Sequence, residues 1–219
     1  TTPLLLFFAL MLGYPLIVGL QTAVSDNKLS EPIVSFSGLD NFLTISTDPD
    51  FWGSVGFTLQ FAVIATSLQL VLGFLLALVF DRKIAGKAAL FSAVLVPIMI
   101  APSLMAVMYR LLLNQNIGAI PAVFSLFGVE VSLFDPATLF PLLILLDCIQ
   151  FIPFTFLLFY ASLQNIPDEL YEVASIDGAP YAATIWQIVL PILRPAIVVV
   201  VLLRVLESIR NFDVIYILT

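Results

Sequence analysis

The chain has 219 residues, 61% of them hydrophobic and 11% charged, with a mean hydropathy of +1.13 and a formal net charge of −7. This balance excludes a soluble globular domain and reads as an integral membrane protein whose helices satisfy their own backbone groups in lipid. The absence of His excludes a His-ligated metal and a Ser-His-Asp triad, a lone cysteine (Cys148) excludes an internal disulfide, and the lack of a basic patch excludes nucleic acid as a partner.

The chain starts at Thr1 without Met and runs straight into apolar residues, which reads as a chain lacking its natural N-terminus. A first span is expected over about residues 3–24, with Gly13, Tyr14 and Pro15 as a tolerated kink. The loop from Ser25 to Asp50 sets five acids against the single Lys28 and should face away from the cytoplasm. A second span covers about 51–80 and is overlong for one crossing, so its first turns, with Trp52, suit the interface. The short loop that follows carries Arg82, Lys83 and Lys87, which makes it cytoplasmic and sets the topology of its neighbours.

The third span, about 88–113, contains Pro97 and Pro102. Such breaks survive in a membrane only where the freed backbone groups meet a neighbour or a cavity, so this helix should face the protein interior. The next loop has acids and no base, as expected outside, and its Asn114–Gly128 portion suggests a short interfacial helix. The fourth span, about 137–164, holds Asp147, Gln150 and Pro153 near mid-membrane.

The loop at 165–191 is too polar for a membrane. Pro167 suits a first helical turn, Asp168 and Glu169 sit where the helix dipole favours carboxylates, and Gly178 stands where a left-handed C-terminal turn is easiest. A helix of about ten residues is therefore expected, with Leu170, Val173, Ala174 and Ile176 as an apolar stripe. A second short helix, Tyr181 to Leu190, should be stopped by Pro191. An amphipathic helix lying on the inner leaflet is the rival reading. Surface helices rely on basic residues, however, and between Pro167 and Leu190 there are none, against the acids Asp168, Glu169, Glu172 and Asp177. A protein partner fits this stretch better. A fifth span over about 192–217 completes the chain, and the whole reads as one membrane domain.

Ionisable groups at membrane depth are functional candidates by default. Arg204, Glu207 and Asn211 fall three and four apart on one face of the fifth span, where Arg204 can pair with Glu207, and Asp147 and Gln150 lie close on the fourth. With Tyr216 and the nearby rings of Phe151, Phe154 and Phe212, such a face suits a hydroxyl-rich solute that needs many paired donors and acceptors. The opposing reading is that the charges neutralise one another and lock helices together, as an Asp147–Arg204 pair would.

Glu172, Ala174, Gly178, Ile188, Leu190 and Pro191 reproduce the spacing E-A-A, three residues, G, nine residues, I-x-L-P; Val173 departs from it where Ala is usual. In these residues the chain resembles the permease subunits of bacterial ABC importers. Arg204, Leu206, Arg210, Phe212, Asp213, Leu218 and Thr219 follow the R-x-L-x-x-x-R-x-F-D and closing L-T pattern of carbohydrate permeases, in particular those for trehalose, maltose and related α-glucosides. Ile149 stands where many relatives have Trp.

The resemblance implies an all-α, polytopic transmembrane helical bundle of the ABC importer permease type, with five spans present and a sixth missing. It implies that 165–191 is a cytoplasmic coupling loop in which Leu170, Glu172, Val173, Ala174, Asp177, Gly178, Ile188, Leu190 and Pro191 carry ATPase motion into the membrane. A second, non-identical permease subunit, two ATPase subunits and an extracytoplasmic solute-binding protein are the implied partners, beside membrane lipid. The implied substrate is a di- or oligosaccharide, its path lined by Asp147, Gln150, Arg204, Glu207, Asn211 and Tyr216. The chain has no phosphate-cradling G-x-x-x-x-G-K-[ST] loop, so no cofactor is expected on it, and ATP and Mg belong on the ATPase subunits. The rival functions are an ATP-independent secondary transporter that uses Asp147 or Glu207 as a proton carrier, and a membrane scaffold whose charges only pair helices.

Overall fold

The computed structural model describes residues 2–26, 35–82, 84–128, 134–210 and 212–218. Those residues are almost entirely helical, and they divide into two compact units, Thr1–Phe57 and Thr58–Thr219.

In the first unit, α1 (Thr2–Ala23) exposes its apolar side chains all along its length, as a helix bathed in lipid does. A two-residue antiparallel pair, β1 (Ser25–Asp26) with β2 (Ser35–Phe36), and α2 (Asp40–Thr47) follow. Asn41 Nδ2 donates to the carbonyls of Ala23 and Ser25, both at 3.0 Å, and so ties α2 to the end of α1. The long helix α3 (Pro49–Asp81) begins in this unit, where the Trp52 indole donates to Ser46 O at 2.9 Å.

The second unit is built around the rest of α3, α7 (Pro136–Leu163) and α10 (Leu190–Ile209). Their shared core holds Phe80, Phe156, Phe159, Leu163, Val189 and Leu193. Edge-on ring pairs such as Phe80–Phe156, with centroids 5.0 Å apart, fill it. Among the described residues four helices are long and apolar enough to cross a membrane: 3–23, 49–81, 138–163 and 181–209.

The expected third span is a broken pair. It consists of α4 (Lys87–Leu95) with a 3₁₀ turn at Pro97–Met99, then α5 (Pro102–Leu112), and the two parts are bent by 94°. The two prolines remove ladder donors at the break, and the carbonyl of Ile100 is met by Gln150 Nε2 of α7 at 3.3 Å, the kind of neighbour such a break needs. A short helix, α6 (Ala119–Leu126), lies where one was expected.

The stretch at 165–191 contains α8 (Asp168–Ile176), which begins one residue after Pro167. Gly178 at φ 68° ends it: Gly178 N donates to Ser175 O at 3.2 Å and Ala179 N to Ala174 O at 2.9 Å. This pair of bonds is a Schellman motif, which satisfies the last carbonyls of the helix.

Two sequence expectations fail here. The helix beginning at Tyr181 is not stopped by Pro191: α9 (Tyr181–Thr184) passes through a π-helical turn, Ile185–Val189, directly into α10. The wide turn carries the helix past the proline: Leu190 N donates to Ile185 O in the π pattern, and Pro191 follows inside the continuous helix. The fifth span is also not one helix to residue 217. α10 stops at Ile209, and α11 (Phe212–Leu218) packs against α5, where Arg110 Nη1 donates to Ile217 O at 2.8 Å.

Candidate functional site

Three helices converge on a buried polar cluster. From α3 come Thr66 and Gln69, which sit three residues apart and face inward; from α7 come Asp147 and Thr155; from α10 come Arg204 and Ser208, one turn apart. Arg204 is 0% exposed and Asp147 2%. Arg204 Nε donates to Gln69 Oε1 at 2.6 Å, and Gln69 Nε2 donates to Asp147 Oδ2 at 2.6 Å. Arg204 Nη2 lies 3.4 Å from the same Asp147 oxygen and 3.5 Å from Ser208 Oγ, which is itself 3.4 Å from Thr66 Oγ1. The Phe151 ring stacks beneath the guanidinium, 4.1 Å from its centre. Thus one side chain, Gln69, bridges the two charges with both ends of its amide.

Close approach of α3 and α7 makes the cluster possible. A Cβ at Gly73 would run into Thr155 Oγ1 and lie 3.0 Å from Phe156 N, so only glycine admits the crossing. Thr155 Oγ1 then donates to the backbone carbonyl of Gln69 at 2.9 Å.

The six predicted pathway residues do not form one patch. Asp147 and Arg204 meet in the cluster, and Gln150 is buried at the break between α4 and α5. Arg204 does not pair with Glu207, as the spacing had suggested: the stronger partners lie across helices, and Glu207 turns outward to Arg210 at 3.8 Å. Tyr216 is exposed. Asn211 falls outside the described residues, as do the side chains of Phe212 and Asp213. Sequence reasoning missed Thr66, Gln69, Thr155 and Ser208. Gln69 had a signal, being the one amide in the uncharged run Phe61–Phe80.

The second candidate surface is α8. Leu170, Tyr171 and Ala174 pack inward, so the expected apolar stripe is split between two faces. At 100° per residue, Glu169, Glu172, Val173 and Ile176 fall on the opposite side. Val173 is 55% exposed and Ile176 82%, an apolar centre edged by carboxylates. Of the other residues assigned to the loop, Asp177 and Gly178 form the cap, Ile188 is half-buried in the π turn, and Leu190 packs on the core ahead of Pro191. Next to α8, Arg82 stacks on the Tyr181 ring at 4.6 Å, and Gln164 Nε2 donates to Asp81 Oδ1 at 2.8 Å. Burial, followed by Asp81, Tyr181 and Asp168, pushes the Tyr171 phenol up to about 12. Among the described residues no cluster of acids and cysteine is arranged to hold a metal ion.

Over residues 69–219 the chain matches the family described as the binding-protein-dependent transport system inner membrane component. It is 34% identical over 190 residues to the trehalose/maltose transport system permease protein MalF of Thermococcus litoralis, covering 86% of this chain and 64% of that one. The chain thus spans less than two thirds of that relative's length. It is 29% identical over 218 residues to the trehalose transport system permease protein SugA of Mycobacterium tuberculosis, covering 99% of this chain and 70% of that one. Among solved structures it resembles a bacterial ABC transporter involved in the import of the acidic polysaccharide alginate, with a TM-score of 0.79 and 25% identity over 94% of this chain and 71% of that one. The same likeness holds for a bacterial alginate ABC transporter in complex with an alginate pentasaccharide-bound periplasmic protein, at a TM-score of 0.78, 25% identity, and 93% and 68% coverage.

Proposed function

Because this chain belongs to the family of binding-protein-dependent transport system inner membrane components, we propose that it is a permease subunit of an ATP-driven sugar importer. In this reading its 219 residues work as one multi-pass domain of a bacterial cytoplasmic membrane and form, with a second permease subunit, an alternating-access path. The observation that carries the proposal is the outward face of α8: an apolar pair, Val173 and Ile176, edged by Glu169 and Glu172 and left uncovered on a capped helix. Two ATPase subunits, which bind ATP and Mg, take that face. An extracytoplasmic binding protein delivers the solute, in keeping with the periplasmic protein in the alginate complex.

The work done by α8 follows from its two faces. Its inner face rests on the core that joins α3, α7 and α10, so a push on the outer face moves packed helices, not a loose loop. Asp147, Gln69 and Arg204 tie those helices at mid-membrane, while Gln150, Glu207, Asn211 and Tyr216 contribute to the solute path. The names of the relatives favour a di- or oligosaccharide such as an α-glucoside. ATP-independent transport on intramembrane carboxylates has no counterpart among these relatives.

The test is co-purification with the candidate ATPase, followed by sugar-stimulated ATP hydrolysis in liposomes, for wild type, Glu172→Arg and Ile176→Ser. Both variants should insert normally and lose the ATPase or its stimulation. A wild type that binds no ATPase would refute the proposal.

A further inference from the structure

Between α3 and the continuous α9–α10 helix lies an open-sided cavity of about 370 Å³ with almost wholly apolar walls. Leu70, Phe74 and Leu78 form one wall, and Trp186, Leu190 and Ile197 form much of the other. Leu70 to Leu78 extends about 12 Å along α3, close to the roughly 15 Å depth of one leaflet's hydrocarbon. The recess ends one turn before Asp81 and Arg82, in the loop that the positive-inside rule places in the cytoplasm. It therefore spans the height of the cytoplasmic leaflet.

Arg194 shares the α10 stripe of Leu190 and Ile197, four and three residues away. It is exposed and makes no hydrogen bond or ion pair among the described residues. The other described cations are engaged: Arg82 on Tyr181, Lys87 on Tyr160, Arg110 on Ile217 O, Arg204 in the buried cluster and Arg210 on Glu207. A guanidinium within a span is costly without an anion, and helical side chains lean toward the helix N-terminus, which on α10 is the cytoplasmic end. Trp186, 73% exposed beside the recess, is the ring type that settles at headgroup level.

We propose that this recess binds one acyl chain of an anionic phospholipid of the cytoplasmic leaflet, with the Arg194 guanidinium meeting the lipid phosphate. The apolar walls select a chain, and the unpaired cation selects an anionic over a zwitterionic lipid. The inference rests on the spans and their orientation, not on the transported solute.

The complete transporter complex tests it in nanodiscs that contain phosphatidylglycerol with a photoactivatable group on one acyl chain. Cross-links should map to the segments around Phe74 and Trp186, and Leu75→Trp, which fills the recess, should abolish them. In native mass spectrometry Arg194→Gln should retain roughly five-fold less phosphatidylglycerol, the scale expected of one basic group at an anionic surface, with phosphatidylcholine unchanged. Equal retention by Arg194→Gln, or labelling that maps elsewhere, overturns the proposal, as does a neighbouring subunit cross-linked through Leu75 in place of lipid. Sugar-stimulated ATP hydrolysis on the same preparations reports separately on the transport reading.

Discussion

Arg204 and Asp147, 57 positions apart on α10 and α7, meet at 3.4 Å with both side chains buried, while Glu207, one turn from Arg204, looks outward. A buried pair is weak evidence for net stability, but removing one partner strands the other charge, at a cost of about 3–5 kcal/mol. Asp147→Ala should therefore sharply lower the thermal midpoint of the detergent-solubilised complex. Asp147→Ala with Arg204→Met should recover much of the loss, since no charge is then stranded. If the double variant is no more stable than the single, the pair is not the lock described.

Gly73 allows α3 and α7 to cross. Gly73→Ala should destabilise by about 1–3 kcal/mol, because the new methyl group meets Thr155 Oγ1 and a backbone nitrogen. Adding Thr155→Ala removes the Oγ1 part of the clash and leaves the contact with the residue 155 Cβ at 2.8 Å. A double-mutant cycle in the intact complex should thus show the pair costing less than the sum of the single changes.

The two faces of α8 predict opposite phenotypes. Val173→Ser and Ile176→Ser change exposed positions and should move stability by no more than about 0.5 kcal/mol while abolishing ATPase co-purification. Ala174→Leu alters the buried face and should lower stability first. Proteolysis of the membrane-inserted protein, run beside the pull-down, separates the outcomes.

Gly178 lies at φ 68° with open space where a Cβ would point. Gly178→Ala should cost about 1–2 kcal/mol through backbone strain alone, fraying the end of α8. Faster amide exchange at Gly178 and Ala179, whose N–H groups close the cap, is the readout.

Tyr171 is held protonated up to about 12, above its ordinary value of 10.0, first by burial and then by Asp81, Tyr181 and Asp168. The folded state then binds the proton more tightly than the unfolded chain, so its contribution is intact below pH 10.0 and is lost as pH rises toward about 12. Tyr171→Phe should flatten the stability profile in that window. Phenolate absorbance of the wild type should show a late-titrating tyrosine signal that Tyr171→Phe removes.

The features legible beforehand obey local rules. An uncharged run such as Phe61–Phe80 must be a span, because lipid offers backbone groups no other partner. α8 starts after Pro167 and ends at Gly178 because its termini carry their own signals. Asp147 and Arg204 stood out because charges are rare at membrane depth.

Tertiary structure alone decided the partners. Gln69 joins Asp147 to Arg204 only because α3 and α7 close up at Gly73, a relation between helices 78 positions apart in the chain. Helical spacing offered Glu207 to Arg204, yet the α3 and α7 groups bind it instead, since a buried guanidinium is held best by the acceptors buried beside it. Pro191 signals a stop by local rules, and the π turn before it overrides that signal. On α8 the spacing marked an apolar stripe, but packing on the core decided that Ala174 turns in while Val173 and Ile176 stay out. Spans and caps depend on neighbours a few residues away, whereas packing depends on residues that only the folded chain brings together.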